Sequence, residues 1–90
     1  MTANYNHIHF VGIGGTGMSG IATILLNLGY KVSGSDLKYS ETLARLKNMG
    51  AEVFIGHDES NITGSDLVVI SSAIPKTSPE YKGAIKNSIP

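Results

Sequence analysis

Ninety residues, with seven basic and seven acidic side chains in balance, allow one small domain and create no field favouring nucleic acid or an anionic membrane. The lack of cysteine excludes a disulfide framework, thiolate catalysis and a cysteine metal site. No apolar run reaches the length of a membrane span and the N-terminus lacks a secretion signal, so a soluble cytoplasmic protein is expected.

Residues 1–6 are expected to be a flexible N-terminus ahead of a single domain over 7–90. His7 to Val11 reads as the first strand, with Ile8, Phe10 and Val11 supplying apolar surface. Met18, Ile21, Ala22, Leu25 and Leu28 recur at helical spacing, and Gly29 sits where a left-handed cap would end that helix. Tyr30 to Gly34 reads as a second strand closed by Ser35-Asp36. Ser40 is a cap for a second helix that carries Leu43, Ala44, Leu46 and Lys47, with Gly50 after it. Glu52 to Ile55 is a short third strand, broken by Gly56-His57-Asp58, and one helical turn is expected over Asp58 to Ile62. Asp66 to Ile70 is nearly all apolar, as expected of a parallel strand covered on both faces. Ser78-Pro79-Glu80 combines cap, first-position proline and first-turn acid, opening a helix whose buried face would be Tyr81, Ala84 and Ile85. Ile89-Pro90 ends the chain where a further strand would follow, which points to a fragment of a longer protein.

The order βαβαβ, connection, βα predicts an α/β fold: a Rossmann-like open parallel sheet, strand order 3-2-1-4, with helices on both faces. Ligands of such sheets sit beyond the carboxyl ends of the strands, where the order reverses. The segments just past the strands are Gly12 to Gly17, Ser35-Asp36, Gly56-His57 and Ser71-Ser72-Ala73. Gly12, Gly14 and Gly17 fall at G-x-G-x-x-G spacing between a strand and a helix, the pattern of a phosphate cradle. In that pattern Gly12 permits the tight turn, Gly14 lets backbone touch a pyrophosphate, and Gly17 lets the helix pack close to the sheet. Gly15 and Gly20 suggest closer approach still, or a tighter helix–sheet contact. With no Lys or Arg between Phe10 and Tyr30, backbone N–H groups and the helix dipole must hold the anion. The alternative is a glycine-rich turn that merely packs.

Asp36 ends the second strand, where a carboxylate accepts from ribose hydroxyls; otherwise it is a solvated turn or an Asx cap. His57 is either structural or a neutral donor to the nucleotide. His7 and His9 share one strand face without a third ligand, so packing or a partner surface is favoured over a metal. Ser71 and Ser72 offer hydroxyls near the phosphates, or act as turn residues. No G-x-x-x-x-G-K-[ST] loop, nucleophile elbow or acid–base carboxylate pair is present, and no residue reads as catalytic.

The run His7-Ile8-His9-Phe10-Val11-Gly12-Ile13-Gly14-Gly15-Thr16-Gly17-Met18-Ser19-Gly20 resembles the opening of the Mur ligases. Tyr30 to Asp36, Gly56-His57-Asp58, Val68 to Ile74 and Ile89-Pro90 are similar to that family too, so the resemblance runs from His7 to the end. Thr16 stands where the family more often carries alanine, an exchange of one small residue for another. The resemblance implies the first domain of a three-domain, ATP-dependent amide ligase of peptidoglycan synthesis. That domain would bind the UDP part of UDP-N-acetylmuramate. Central and C-terminal domains outside this chain would hold ATP with magnesium and the amino acid. ATP would activate the muramyl carboxylate as an acyl phosphate, which the amine of alanine attacks; the chain alone would be inactive. By position, Gly14, Gly15, Thr16 and Gly17 are expected at the pyrophosphate, with Gly12 and Met18 in the same set. Ser35 and Asp36 are expected at the uridine, His57 nearby, and Ser71, Ser72 and Ala73 along the phosphates. Two other readings stay open: a ligase that attaches a whole tripeptide to the same sugar nucleotide, and an NAD-binding domain of a dehydrogenase or regulator.

Overall fold

In the computed structural model, which describes residues 5–90, the expected alternation forms throughout. The elements are β1 (His7–Val11), α1 (Thr16–Asn27), β2 (Lys31–Asp36), α2 (Glu41–Asn48), β3 (Glu52–Ile55), a 3₁₀ turn (Glu59–Ile62), β4 (Leu67–Ile70) and α3 (Pro79–Lys86). All strand pairs are parallel and the order is β3-β2-β1-β4, as the sequence predicts. The expected flexible segment 1–6 falls mostly on residues 1–4, outside the described residues. Asn6 is tied down: its N–H donates to the Asp66 carboxylate at 2.9 Å and its carbonyl accepts from Lys31.

The two sheet faces differ in chemistry because β1 and β2 alternate with period two. Ile8, Phe10 and Val32 face α1 and α2, where Ile13, Ala22, Leu43 and Leu46 complete the apolar core. The opposite face carries His7, His9, Ser33 and Ser35, all buried, and is closed by α3 and the 3₁₀ turn. Gly34 is the glycine that close packing demands, because a Cβ there would overlap the buried Ile13 side chain.

Several expectations shift. β2 runs to Asp36 rather than Gly34, since Ser35 pairs with Val11 and Asp36 with Ile55, while the Tyr30 N–H closes α1 on the Leu25 carbonyl. β4 is an edge strand, only partly covered, and the Val68 N–H on its open side donates to the Pro90 carbonyl at 2.8 Å. Asp66 stays outside β4 and accepts from the Asn6 and His7 amides. Helix α1 buries Ser19 and Ala22, leaving Ile21 and Leu28 exposed. Helix α3 buries Glu80, Gly83 and Ala84 and exposes Ile85. It does so because Gly83 lies against the 3₁₀ turn, where a Cβ would come within 2.7 Å of the Glu59 side chain. Gly17 and Gly20 do not serve helix–sheet packing: a Cβ at either meets nothing within 4 Å. Ser40 caps α2 by accepting from the Leu43 N–H, whereas the Ser78 side chain makes no cap bond.

Candidate functional site

The loop after β1 is held by its own backbone. Gly12 turns at φ +87°, where a Cβ would be strained and 3.2 Å from Ser71 Cβ. The Gly12 and Ile13 N–H groups donate to the Ser35 carbonyl, at 2.8 and 3.0 Å, and the Gly15 N–H to the Gly12 carbonyl at 3.1 Å. The Gly14 N–H donates to Asp36 Oδ2 at 2.8 Å. Those amides are therefore spent within the loop. The N–H groups of Thr16, Gly17 and Met18, in the first turn of α1, have no partner among the described residues. With the open space above Gly17, they are the donors left for an anion at the positive end of the helix.

Asp36 lies where β2 ends, with its carboxylate turned toward the glycine loop. Its Oδ1 accepts from the Leu37 N–H at 2.8 Å, and each oxygen keeps a lone pair for a further donor. A cleft of about 380 Å³ opens here, lined by Gly12, Gly14, Gly15 and Asp36 together with His57, Ser71 and Ala73. A second cavity of about 390 Å³ continues from it past Leu37, His57, Ala73 and Ile74 to Pro75 and Pro79 and is lined mainly by apolar surface. Sequence reasoning did not pick out Leu37, Ile74 or Pro75; the only signal was apolar side chains in the segments just past β2 and β4. Ser71 accepts from the Ala73 N–H at 3.3 Å, a local turn bond, and Ser72 is exposed outside both cavities. Ser35 is fully buried and lines neither cavity, and its hydroxyl donates to Glu80.

Sequence reasoning missed the burial of Glu80, because a first-turn acid ordinarily faces solvent. Its side chain is wholly buried beneath the sheet. Oε2 accepts from His9 Nε2 at 2.7 Å and from the Ser35 hydroxyl at 2.6 Å; Oε1 lies 2.6 Å from His57 Nδ1. Burial pushes the Glu80 carboxyl up, but the hydrogen bonds from His9, Ser35 and His57 and the facing His9 charge together hold it below the ordinary value. Glu80 is therefore a carboxylate that only accepts.

The proton inventory of this layer can be counted. From the Gly64 carbonyl, bonds run to His7 Nδ1, from His7 Nε2 to Ser33, from Ser33 to His9 Nδ1, and from His9 Nε2 to Glu80. Both ends of that series accept, so four bonds need four protons, and two neutral rings with one hydroxyl supply three. Burial lowers the His7 pKa, against the Gly64 hydrogen bond and with the help of the Lys31 and His9 charges. His9 Nε2 faces the buried Glu80 carboxylate at 2.7 Å, an ion pair whenever that ring is protonated. His7 and His9 are thus packing residues, and among the described residues no group of side chains could hold a metal ion.

Comparison with known proteins follows the same lines. Residues 7–90 match the family model described as Mur ligase family, catalytic domain. A UDP-N-acetylmuramate–L-alanine ligase of Koribacter versatilis is 60% identical over 90 residues, covering 100% of this chain and 19% of that protein. The ligase of the same name from Persephonella marina is 57% identical over 84 residues, covering 93% and 18%. The chain therefore spans about a fifth of the length of the curated relatives it matches. Among solved structures, UDP-N-acetylmuramate–alanine ligase from Thermotoga maritima superposes with a TM-score of 0.89 at 37% identity, covering 93% of this chain and 20% of that one. The UDP-N-acetylmuramate:L-alanyl-gamma-D-glutamyl-meso-diaminopimelate ligase from Neisseria meningitides gives 0.86 at 31%, covering 96% and 28%. A lactate dehydrogenase from Cryptosporidium parvum, at TM-score 0.51 and 24% identity, shares the fold alone.

Proposed function

The chain belongs to the Mur ligase family, and on that premise we propose that it is the UDP-binding domain of a UDP-N-acetylmuramate–L-alanine ligase of peptidoglycan synthesis. The observation that carries this reading is the glycine loop bonded through the Gly14 N–H to the Asp36 carboxylate, with the unspent first-turn amides of α1 following directly after that loop in the chain. The amides of Thr16, Gly17 and Met18 would hold the diphosphate, and Gly12, Gly14 and Gly15 would let it come close. Asp36 would take the ribose hydroxyls, and the apolar cavity beyond Leu37 has the surface to cover a base.

The chain supplies recognition and not bond-making. It has no triphosphate loop, so ATP and magnesium would be held elsewhere in a longer enzyme, where the muramyl carboxylate is activated and meets alanine. Cytoplasmic location belongs to this proposal; among the described residues no helix is long and apolar enough to cross a membrane. The relatives at 57% and 60% identity favour alanine addition over tripeptide addition.

Titration with UDP, UDP-N-acetylmuramate and NAD, followed by amide chemical shifts, tests the reading. The uridine ligands are expected to move Thr16–Met18, Asp36 and His57 together. Tighter binding of NAD than of either uridine ligand would replace it with the dinucleotide reading.

A further inference from the structure

His57 has one ring nitrogen committed and one free. Nδ1 lies 2.6 Å from Glu80 Oε1 and 2.9 Å from the Ser35 hydroxyl. Nε2 is buried and has no partner among the described residues. His57 lines both the polar cleft and the apolar cavity, and Nε2 is its polar atom without a partner. A buried polar atom without a partner carries a desolvation cost that a ligand can recover.

Which role Nε2 plays is fixed from below. The Ser35 hydroxyl donates its proton to Glu80 Oε2, so it has none for His57. Glu80 only accepts, so the proton between its Oε1 and the ring belongs to Nδ1. A second proton, on Nε2, would leave a buried N–H without an acceptor among the described residues. We infer that Glu80 is a positioning residue that keeps the His57 proton on Nδ1, so that Nε2 meets the ligand as a hydrogen-bond acceptor. The inference rests on the uridine nucleotide reading above, and it reverses the neutral-donor role that the sequence suggested for His57. The ligand group selected is then an N–H or O–H donor, and a uridine nucleotide has two kinds: the imide N–H of the base and the ribose hydroxyls.

The imidazole nitrogen chemical shifts of His57 report its tautomer directly. Wild-type protein is expected to carry the proton on Nδ1 before any ligand is added. Glu80→Gln places an amide N–H beside Nδ1 and is expected to move the proton to Nε2, weakening UDP-N-acetylmuramate binding about ten-fold. Ser35→Ala keeps the Glu80 contact and is expected to keep the wild-type tautomer. UDP compared with its N3-methyl and 2′-deoxy analogues identifies the donor: one of them should bind about ten-fold more weakly to wild type and lose that difference in Glu80→Gln. A wild-type proton on Nε2 overturns the inference, even if the Gln variant does not fold. So does an unchanged tautomer in a folded Gln variant, or analogues that both bind as UDP does. The expected tautomer without any response to uridine ligands would support the role of Glu80 and overturn the functional reading instead.

Discussion

At the scale of single residues, the buried layer beneath the sheet sets how the protein responds to acid. The His7 imidazole lies below its ordinary value of 6.5 because burial disfavours the cation. The unfolded chain binds that proton first, so the stability from neutral His7 is complete above pH 6.5 and is lost as pH falls through the lower folded value. Glu80, also lowered, has the same sign at lower pH: its contribution is complete above the ordinary value of 4.5 and is lost on further acidification. Thermal midpoints measured across pH are therefore expected to fall in two stages. Glu80→Gln should shrink the lower stage without abolishing it, since half-buried Asp66, lowered by the Asn6 and His7 amides, titrates in the same direction. Glu80→Ala strands His9, Ser35 and His57 without their acceptor and is expected to cost about 3–5 kcal/mol in urea denaturation. A loss under 1 kcal/mol on a two-state urea curve would mean the network is not formed as described.

At the scale of elements, the glycines separate by what surrounds them. Gly34→Ala on β2 would drive a methyl into Ile13 and is expected to destabilise by about 1–3 kcal/mol. Gly20→Ala in α1 meets open space and should stabilise by about 0.5–1 kcal/mol, because alanine gives up less backbone entropy in a helix. Gly17→Ala is equally free of contacts, so the fold should tolerate it, but its methyl occupies the space over the first-turn amides. A thermal midpoint held or raised, together with UDP binding lost by at least about ten-fold, is the expected pair of results for Gly17→Ala. Unchanged binding would show that no phosphate sits there. The same G-x-G-x-x-G pattern thus combines residues with different duties: Gly12 makes the turn, Gly14 gives room to Asp36, and Gly17 leaves space outside the protein.

At the scale of the whole molecule, the sheet is apolar on one face and a hydrogen-bonded polar layer on the other, with β4 as a partly covered edge. The Val68 N–H is held by the Pro90 carbonyl at that edge, whereas the β1 strand lies between two neighbours. Hydrogen exchange is expected to be faster at Val68 than at β1 amides such as Phe10, since edge positions open without global unfolding. Equal protection at the two sites would place β4 within the same cooperative unit as the centre of the sheet.

The sequence by itself determined the order of elements, the parallel sheet with its 3-2-1-4 arrangement, the glycine loop between the first strand and helix and the placing of Asp36 beside it. Each of these follows from local periodicity, turn chemistry and the handedness of crossovers, all of which are written along the chain. The tertiary structure alone decided which loop amides remain unspent, that α3 turns Glu80 inward and Ile85 outward, and that His7, His9 and His57 belong to one polar layer. Those outcomes depend on contacts between residues far apart in sequence, such as His9 with Glu80 and Gly83 with Glu59, and no local pattern encodes which partner a buried polar group will find.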